Sequence, residues 1–146
     1  MDMDTIPFVY EDFHLFEHKI LYYETSRGCP FCCSYCLSSV DKTVRFRSLP
    51  IVKKELDAFL EAKVPQVKFV DRTFNCNRQR AIDIWSYLVE HDNGITNFHF
   101  EVAADLLNEE ERLRAARFVR ASDRRHFAVC RACVKSVIAS RIPGLN

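Results

Sequence analysis

Four cysteines fall within eight positions of the stretch SRGCPFCCSYC, residues 26–36: Cys29, Cys32, Cys33 and Cys36. Thiols at that density serve disulfide exchange, zinc binding or iron–sulfur binding, and each chemistry asks for its own spacing. Structural zinc sites use two CxxC pairs set apart by a loop of about a dozen residues or more, so that four sulfurs can surround one ion. Here CPFC and CSYC abut, and the only distant second pair is Cys130 and Cys133 in CRAC. Cys29, Cys33 and Cys36 form C-x3-C-x2-C. Three thiolates so placed on one loop can hold three irons of a [4Fe-4S] cube and leave the fourth iron open. Gly28 before the run and Pro30 inside it shape a loop wide enough to wrap such a cube.

Dithiol exchange is the rival enzyme chemistry. CPFC after a strand resembles the CPYC motif of glutaredoxins, and VPQV at 64–67 resembles their proline segment. A helix N-terminus would then lower the first thiol's pKa. Cys33 and Cys36 have no part in that scheme, and FVDRTF stands where glutaredoxins carry a glycine pair.

The elements that must position these residues alternate in type. KILYYETS, 19–26, is rich in aromatic and β-branched residues and ends at Arg27-Gly28, which predicts a buried strand. Ser48 as N-cap and Pro50 in the first turn open a helix whose apolar face is Val52, Leu56, Phe59 and Leu60. QVKFVD, 66–71, is a second strand. The loop RTFNCN leads to a second helix over 78–91 with the stripe Ala81, Ile84, Trp85 and Leu88, ended by Asn93-Gly94. NFHFEV, 97–102, is a third strand in which Phe98 and Phe100 alternate toward the core. Asn108 followed by Glu109, Glu110 and Glu111 marks a third helix start. This order predicts an α/β fold of parallel βα repeats. Ligands of such sheets sit at the carboxyl ends of the strands. The cysteines, Asp71 and Glu101 would all gather there.

Composition sets limits. The chain is 48% hydrophobic over 146 residues, enough for a packed domain rather than a disordered chain. It has neither the basic start of a secretory signal nor a run near the roughly 20 apolar residues of a membrane span. A cytoplasmic address and no membrane partner are expected. In a reducing cytosol, seven cysteines point to metal or redox chemistry. Residues 1–111 hold 12 Lys and Arg against 19 Asp and Glu, whereas residues 112–146 hold nine Lys and Arg against Asp123 alone. The basic tail reads as a truncated or frame-shifted end. Its functional rival is a nucleic-acid-binding arm.

SRGCPFCCSYC resembles the cluster loop of radical S-adenosylmethionine (radical SAM) enzymes, whose signature is C-x3-C-x-aromatic-C. Tyr35 fills the aromatic position. The resemblance runs from about Ile20 to Glu111 through YYETSRGCPF, VRFRS, KFVDRTFN and FHFEVAADLL. It is nearest to the branch often fused to an N-terminal cobalamin-binding domain. Cys32 departs from the pattern, which makes 29/32/36 the rival ligand register, and VDRTFN replaces the glycine-rich segment that many members carry after strand two.

The resemblance implies a partial TIM barrel of about six βα units, of which residues 20–111 supply the first half, about three units. Residues 1–19 would be a linker from an upstream domain, and the chain a fragment of a larger enzyme. It implies a [4Fe-4S] cluster on Cys29, Cys33 and Cys36, with S-adenosylmethionine chelated by the open iron. It implies reductive cleavage to a 5′-deoxyadenosyl radical that takes a hydrogen from an unknown substrate. Tyr35 would flank the adenine, while Asp71 and Glu101 would accept hydrogen bonds from the ammonium or ribose. An electron donor such as flavodoxin or ferredoxin follows as partner, and cobalamin as a cofactor of the full-length relative. The rivals from other classes are a glutaredoxin-like thiol oxidoreductase and a non-catalytic zinc or nucleic-acid-binding module. Bland roles are also open. Asp71 could close its own turn, Glu101 could pair with a nearby Arg, Arg72 could be a solvated charge, Cys32 and Cys76 could be small packed residues, and the five histidines could be structural.

Overall fold

The computed structural model describes residues 2–34 and 36–103. Three short strands form a parallel sheet: β1 (Leu21–Tyr23), β4 (Gln66–Phe69) and β5 (Asn97–His99), in the order β1-β4-β5. Leu21 lies opposite Val67, and Val67 opposite Phe98. Two helices of 13 residues connect them, α1 (Leu49–Glu61) and α2 (Arg78–Glu90). Among the described residues this is a mixed α/β fold, with a parallel sheet as the alternation of strands and amphipathic helices requires. No helix among them is long and apolar enough to cross a membrane.

The side-chain pattern explains the layers. Leu21, Tyr23, Val67 and Phe69 are buried, while Tyr22 between the first two is exposed, the period of two expected of a strand with one packed face. That face shares one apolar cluster with Val52, Leu56, Phe59 and Leu60 of α1 and Ala81, Ile84, Trp85 and Leu88 of α2. Both stripes match those read from the sequence. Phe69, Phe74 and Phe100 stack closely at the centre, Phe100 lying 4.4 Å from Phe69 and 4.5 Å from Phe74 between ring centroids.

The strands are shorter than the sequence suggests. The 19–26 stretch divides: β1 ends at Tyr23, and β2 (Ser26–Arg27) turns away to pair antiparallel with β3 (Arg45–Phe46), a small second sheet with no signal in the hydrophobic pattern. Ser48 does occupy the N-cap of α1, but its side chain makes no capping bond. Its own N–H instead donates to the Asp4 carboxylate at 2.7 Å. Asn93 does more than end a helix. Its amide donates to the Leu60 carbonyl and accepts from the N–H groups of Ile95 and Thr96, so it joins the end of α1 to the approach of β5.

Residues 2–19, expected as a linker, pack onto the sheet and α1. The rings of Phe8, Tyr10, Phe13 and Tyr23 surround Phe59 at centroid distances of 5.3, 5.5, 5.8 and 5.4 Å. The Tyr10 hydroxyl donates to the Tyr22 carbonyl and accepts from the Tyr22 N–H, capping the outer edge of β1 as a neighbouring strand would. Buried Arg47 donates to Glu55 through Nε at 2.9 Å and to the Met3 carbonyl at 2.5 Å. The Tyr23 hydroxyl donates to the same carboxylate, and burial, reinforced by Glu55, pushes its pKa up.

Candidate functional site

The cysteine loop leaves the sheet where β1 ends, and backbone sterics fix its first residue. Gly28 has φ +102°, the left-handed region that favours glycine. A Cβ there would stand 2.3 Å from the Thr43 carbonyl oxygen. The close approach sets the Cys29 N–H on the Asp41 carbonyl at 3.1 Å. The Cys29 side chain is buried, with Sγ 3.7 Å from the Thr73 hydroxyl. Further along, the Cys36 N–H donates to the Cys33 carbonyl at 3.2 Å, closing one turn that keeps those two residues together. Cys33 is exposed and Cys36 half-buried; Cys32 is exposed rather than packed. Leu37–Val40 then form a 3-10 turn with Leu37 and Val40 in solvent.

The loop after β4 joins the ends of all three parallel strands. Asp71 is fully buried and accepts from the Thr25 N–H at 2.6 Å, the Thr25 hydroxyl at 2.5 Å and the Ser26 N–H at 3.1 Å. It thereby holds the two residues that carry the chain from β1 toward Gly28. Burial pushes the Asp71 pKa up, against the pull of the Thr25 and Ser26 donors. The Phe74 N–H donates to the Glu101 carbonyl at 2.9 Å. The Asn75 amide exchanges two bonds with the backbone of Ala103, Nδ2 to the carbonyl at 2.9 Å and Oδ1 from the N–H at 2.8 Å. Cys29, Asp71 and Glu101 therefore share one rim, linked through residues 71–75.

Each expected site residue has a definite place or lies outside the described residues. Asp71 faces Thr25 and Ser26. The half-exposed Glu101 carboxylate lies 3.4 Å from Lys68 Nζ, so the basic partner is a lysine of β4 rather than an arginine. Arg72 is exposed, as a solvated loop charge would be. Tyr35, Cys130, Cys133, the third helix start and the basic tail lie outside the described residues. Among the described residues, no three Cys, His, Asp or Glu side chains converge as a metal site. The proposed donor set suits iron in kind: Cys29, Cys33 and Cys36 are thiols, and the first is buried beside Thr73.

Several contributors were not read from the sequence. Thr25, Thr73 and Asn75 look like ordinary loop residues, although Asp, Thr and Asn together in DRTFN are the types whose side chains bond to backbone. Arg80, from the first turn of α2, lies over the Phe46 ring at 5.2 Å and reaches the Thr25 carbonyl at 3.4 Å. Burial lowers its pKa. His99, opposite Lys68 in the sheet register, is half-buried, and burial together with Lys68 lowers its pKa.

No family model matches the chain. A stretch of 63 residues is 44% identical to Uncharacterized methyltransferase PH0819 of Pyrococcus horikoshii, covering 41% of this chain and 14% of that protein. The chain thus matches only about a seventh of that relative's length, and the similarity is to a protein whose name gives the methyltransferase class alone.

Proposed function

We propose that this chain is a segment of a radical SAM enzyme in which Cys29, Cys33 and Cys36 hold a [4Fe-4S] cluster and leave one iron for S-adenosylmethionine. The observation that carries the reading is the seating of Cys29. A glycine-only backbone fixes it at the carboxyl end of β1, with Cys33 and Cys36 paired on the following turn and two acids on the same rim. Partial identity to a protein named a methyltransferase supports an enzyme and fits a sulfonium cofactor.

Held by Cys29, Cys33 and Cys36, such a cluster would supply one-electron reduction of a sulfonium cofactor. The chain's own residues position and shield. Asp71 fixes Thr25 and Ser26, and through them the entry to the loop. Glu101, half-exposed beside Lys68, is the rim acid proposed to accept from a cationic ligand, with buried Asp71 behind it. Phe74 and Phe100 close the base of the rim against water. Tyr35 is the residue proposed to flank the adenine.

Dithiol exchange draws little support from the fold. The glutaredoxin scheme needs a helix N-terminus at CPFC, and α1 begins only at Leu49, beyond a 3-10 turn and β3.

Anaerobic reconstitution with iron and sulfide tests the reading. A brown protein with about four irons per chain is expected. Cys32→Ser should retain the iron, and Cys33→Ser should lose it. The opposite pair of results would transfer the ligand role to Cys32. Equal iron uptake after removal of Cys29, Cys33 and Cys36 together would end the proposal.

A further inference from the structure

We propose that the cavity under the N-terminal segment is a binding site for a small phenol, a single aromatic ring carrying one hydroxyl. Two anchors hold that segment. At one end the Met3 carbonyl accepts from Arg47, and the Asp4 carboxylate accepts from the Ser48 N–H. At the other end the Tyr10 hydroxyl bonds to both backbone groups of Tyr22. The chain between the anchors passes over β1 and the start of α1 and leaves a cavity of about 160 Å³ beneath it. A dry cavity of about 150 Å³ accommodates benzene, so one six-membered ring fits. The walls are aromatic. Phe8 meets Tyr10 and Tyr23 edge to face, at 5.6 and 6.5 Å between centroids, and a further ring beside them meets the geometry that aromatic pairs prefer. Val9 and Tyr22, both largely exposed, stand at the mouth.

The base of the cavity sets the ligand's polar group. Arg47 and Glu55, both buried, line it as an ion pair. Arg47 gives its Nε–H and one Nη2 N–H to Glu55 and one Nη1 N–H to the Met3 carbonyl. A guanidinium has five N–H donors, so two are left over. Glu55 accepts the Tyr23 hydroxyl besides the two Arg47 bonds, and a carboxylate has about four lone-pair sites. The base can therefore both donate to and accept from a ligand, as a hydroxyl requires. The two charges compensate each other, and Glu24, also in the wall, is engaged by Arg27. A ligand that brought its own charge would have to desolvate it with no unpaired counter-charge to meet, so the site selects a neutral polar group. Nothing in this arrangement uses a cysteine, and the binding stands or falls apart from the cluster reading.

The test titrates the full chain, free of iron, with phenol, toluene, cyclohexanol and benzoate, and follows backbone amide shifts by NMR. Phenol should give saturable shifts centred on Phe8, Val9, Tyr22 and Glu24, with the amides in the middle of α2 unmoved. Toluene has the same shape without the hydroxyl, and cyclohexanol has the hydroxyl without the aromatic ring. Each should bind about fivefold more weakly than phenol or worse. Benzoate should leave these amides unshifted. The proposal is overturned if toluene binds as tightly as phenol, since an apolar hollow would do that without the Arg47–Glu55 base. It is equally overturned if cyclohexanol matches phenol, if benzoate binds more tightly, or if the phenol shifts scatter over the chain and never saturate.

Discussion

The Asp71 carboxyl accepts both the N–H and the hydroxyl of Thr25, at 2.6 and 2.5 Å, across 46 residues of sequence. The pair ties the exit of β4 to the exit of β1 just before the cysteine loop begins. A side chain two short steps from Cys29 thus controls where that loop starts, whatever the loop holds.

Asp71→Ala would leave the N–H groups of Thr25 and Ser26 and the Thr25 hydroxyl without their acceptor in a buried place. A loss on the order of 3 kcal/mol in folding free energy is expected, read from urea unfolding. Asp71→Asn keeps the volume and one acceptor oxygen and should lose less. If Asp71 touches the cofactor but holds no structure, both variants will unfold like the wild type.

Gly28→Ala places a methyl group against the Thr43 carbonyl and requires a left-handed backbone of an L side chain. The expected cost is on the order of 3 kcal/mol. Iron uptake should fall with it, because Cys29 shifts when Gly28 shifts. A variant that folds as well as the wild type would show that the approach to Thr43 is not needed.

Asn75→Ala removes both hydrogen bonds to Ala103, at an expected cost of about 2 kcal/mol. The sharper readout is amide hydrogen exchange. The Ala103 N–H should lose protection far more than amides in the middle of α1, whose bonds are unchanged.

His99 gives a pH dependence with a definite sign. Burial and the Lys68 ammonium hold its folded pKa below the usual 6.5, and Glu101 opposes them. An unfolded chain therefore takes up this proton more readily than the folded one. The contribution is fully present above about pH 6.5 and is lost as pH falls through the folded value. Urea midpoints at about pH 7.5 and pH 5.5 should differ more in the wild type than in His99→Asn. The difference will be small, since the imidazole is part exposed and screened. Equal differences in both proteins would mean that His99 titrates as it does in the unfolded chain.

Much of the framework was legible in the sequence, since helix stripes and strand alternation depend on local spacing. Val52, Leu56, Phe59 and Leu60, with Ala81, Ile84, Trp85 and Leu88, could be assigned to buried faces because 3.6 residues complete a turn whatever lies opposite. The parallel sheet followed from strands separated by helices. The rim position of Cys29, Asp71 and Glu101 followed from the rule that loops after parallel strands share one end of the sheet. The tertiary structure alone decided which groups meet. No periodicity joins Asp71 to Thr25, Asn75 to Ala103, Tyr10 to the edge of β1, or Cys29 to Thr73. These contacts are single polar or thiol encounters between distant segments, fixed by strand register and by one glycine approach rather than by any repeat along the chain.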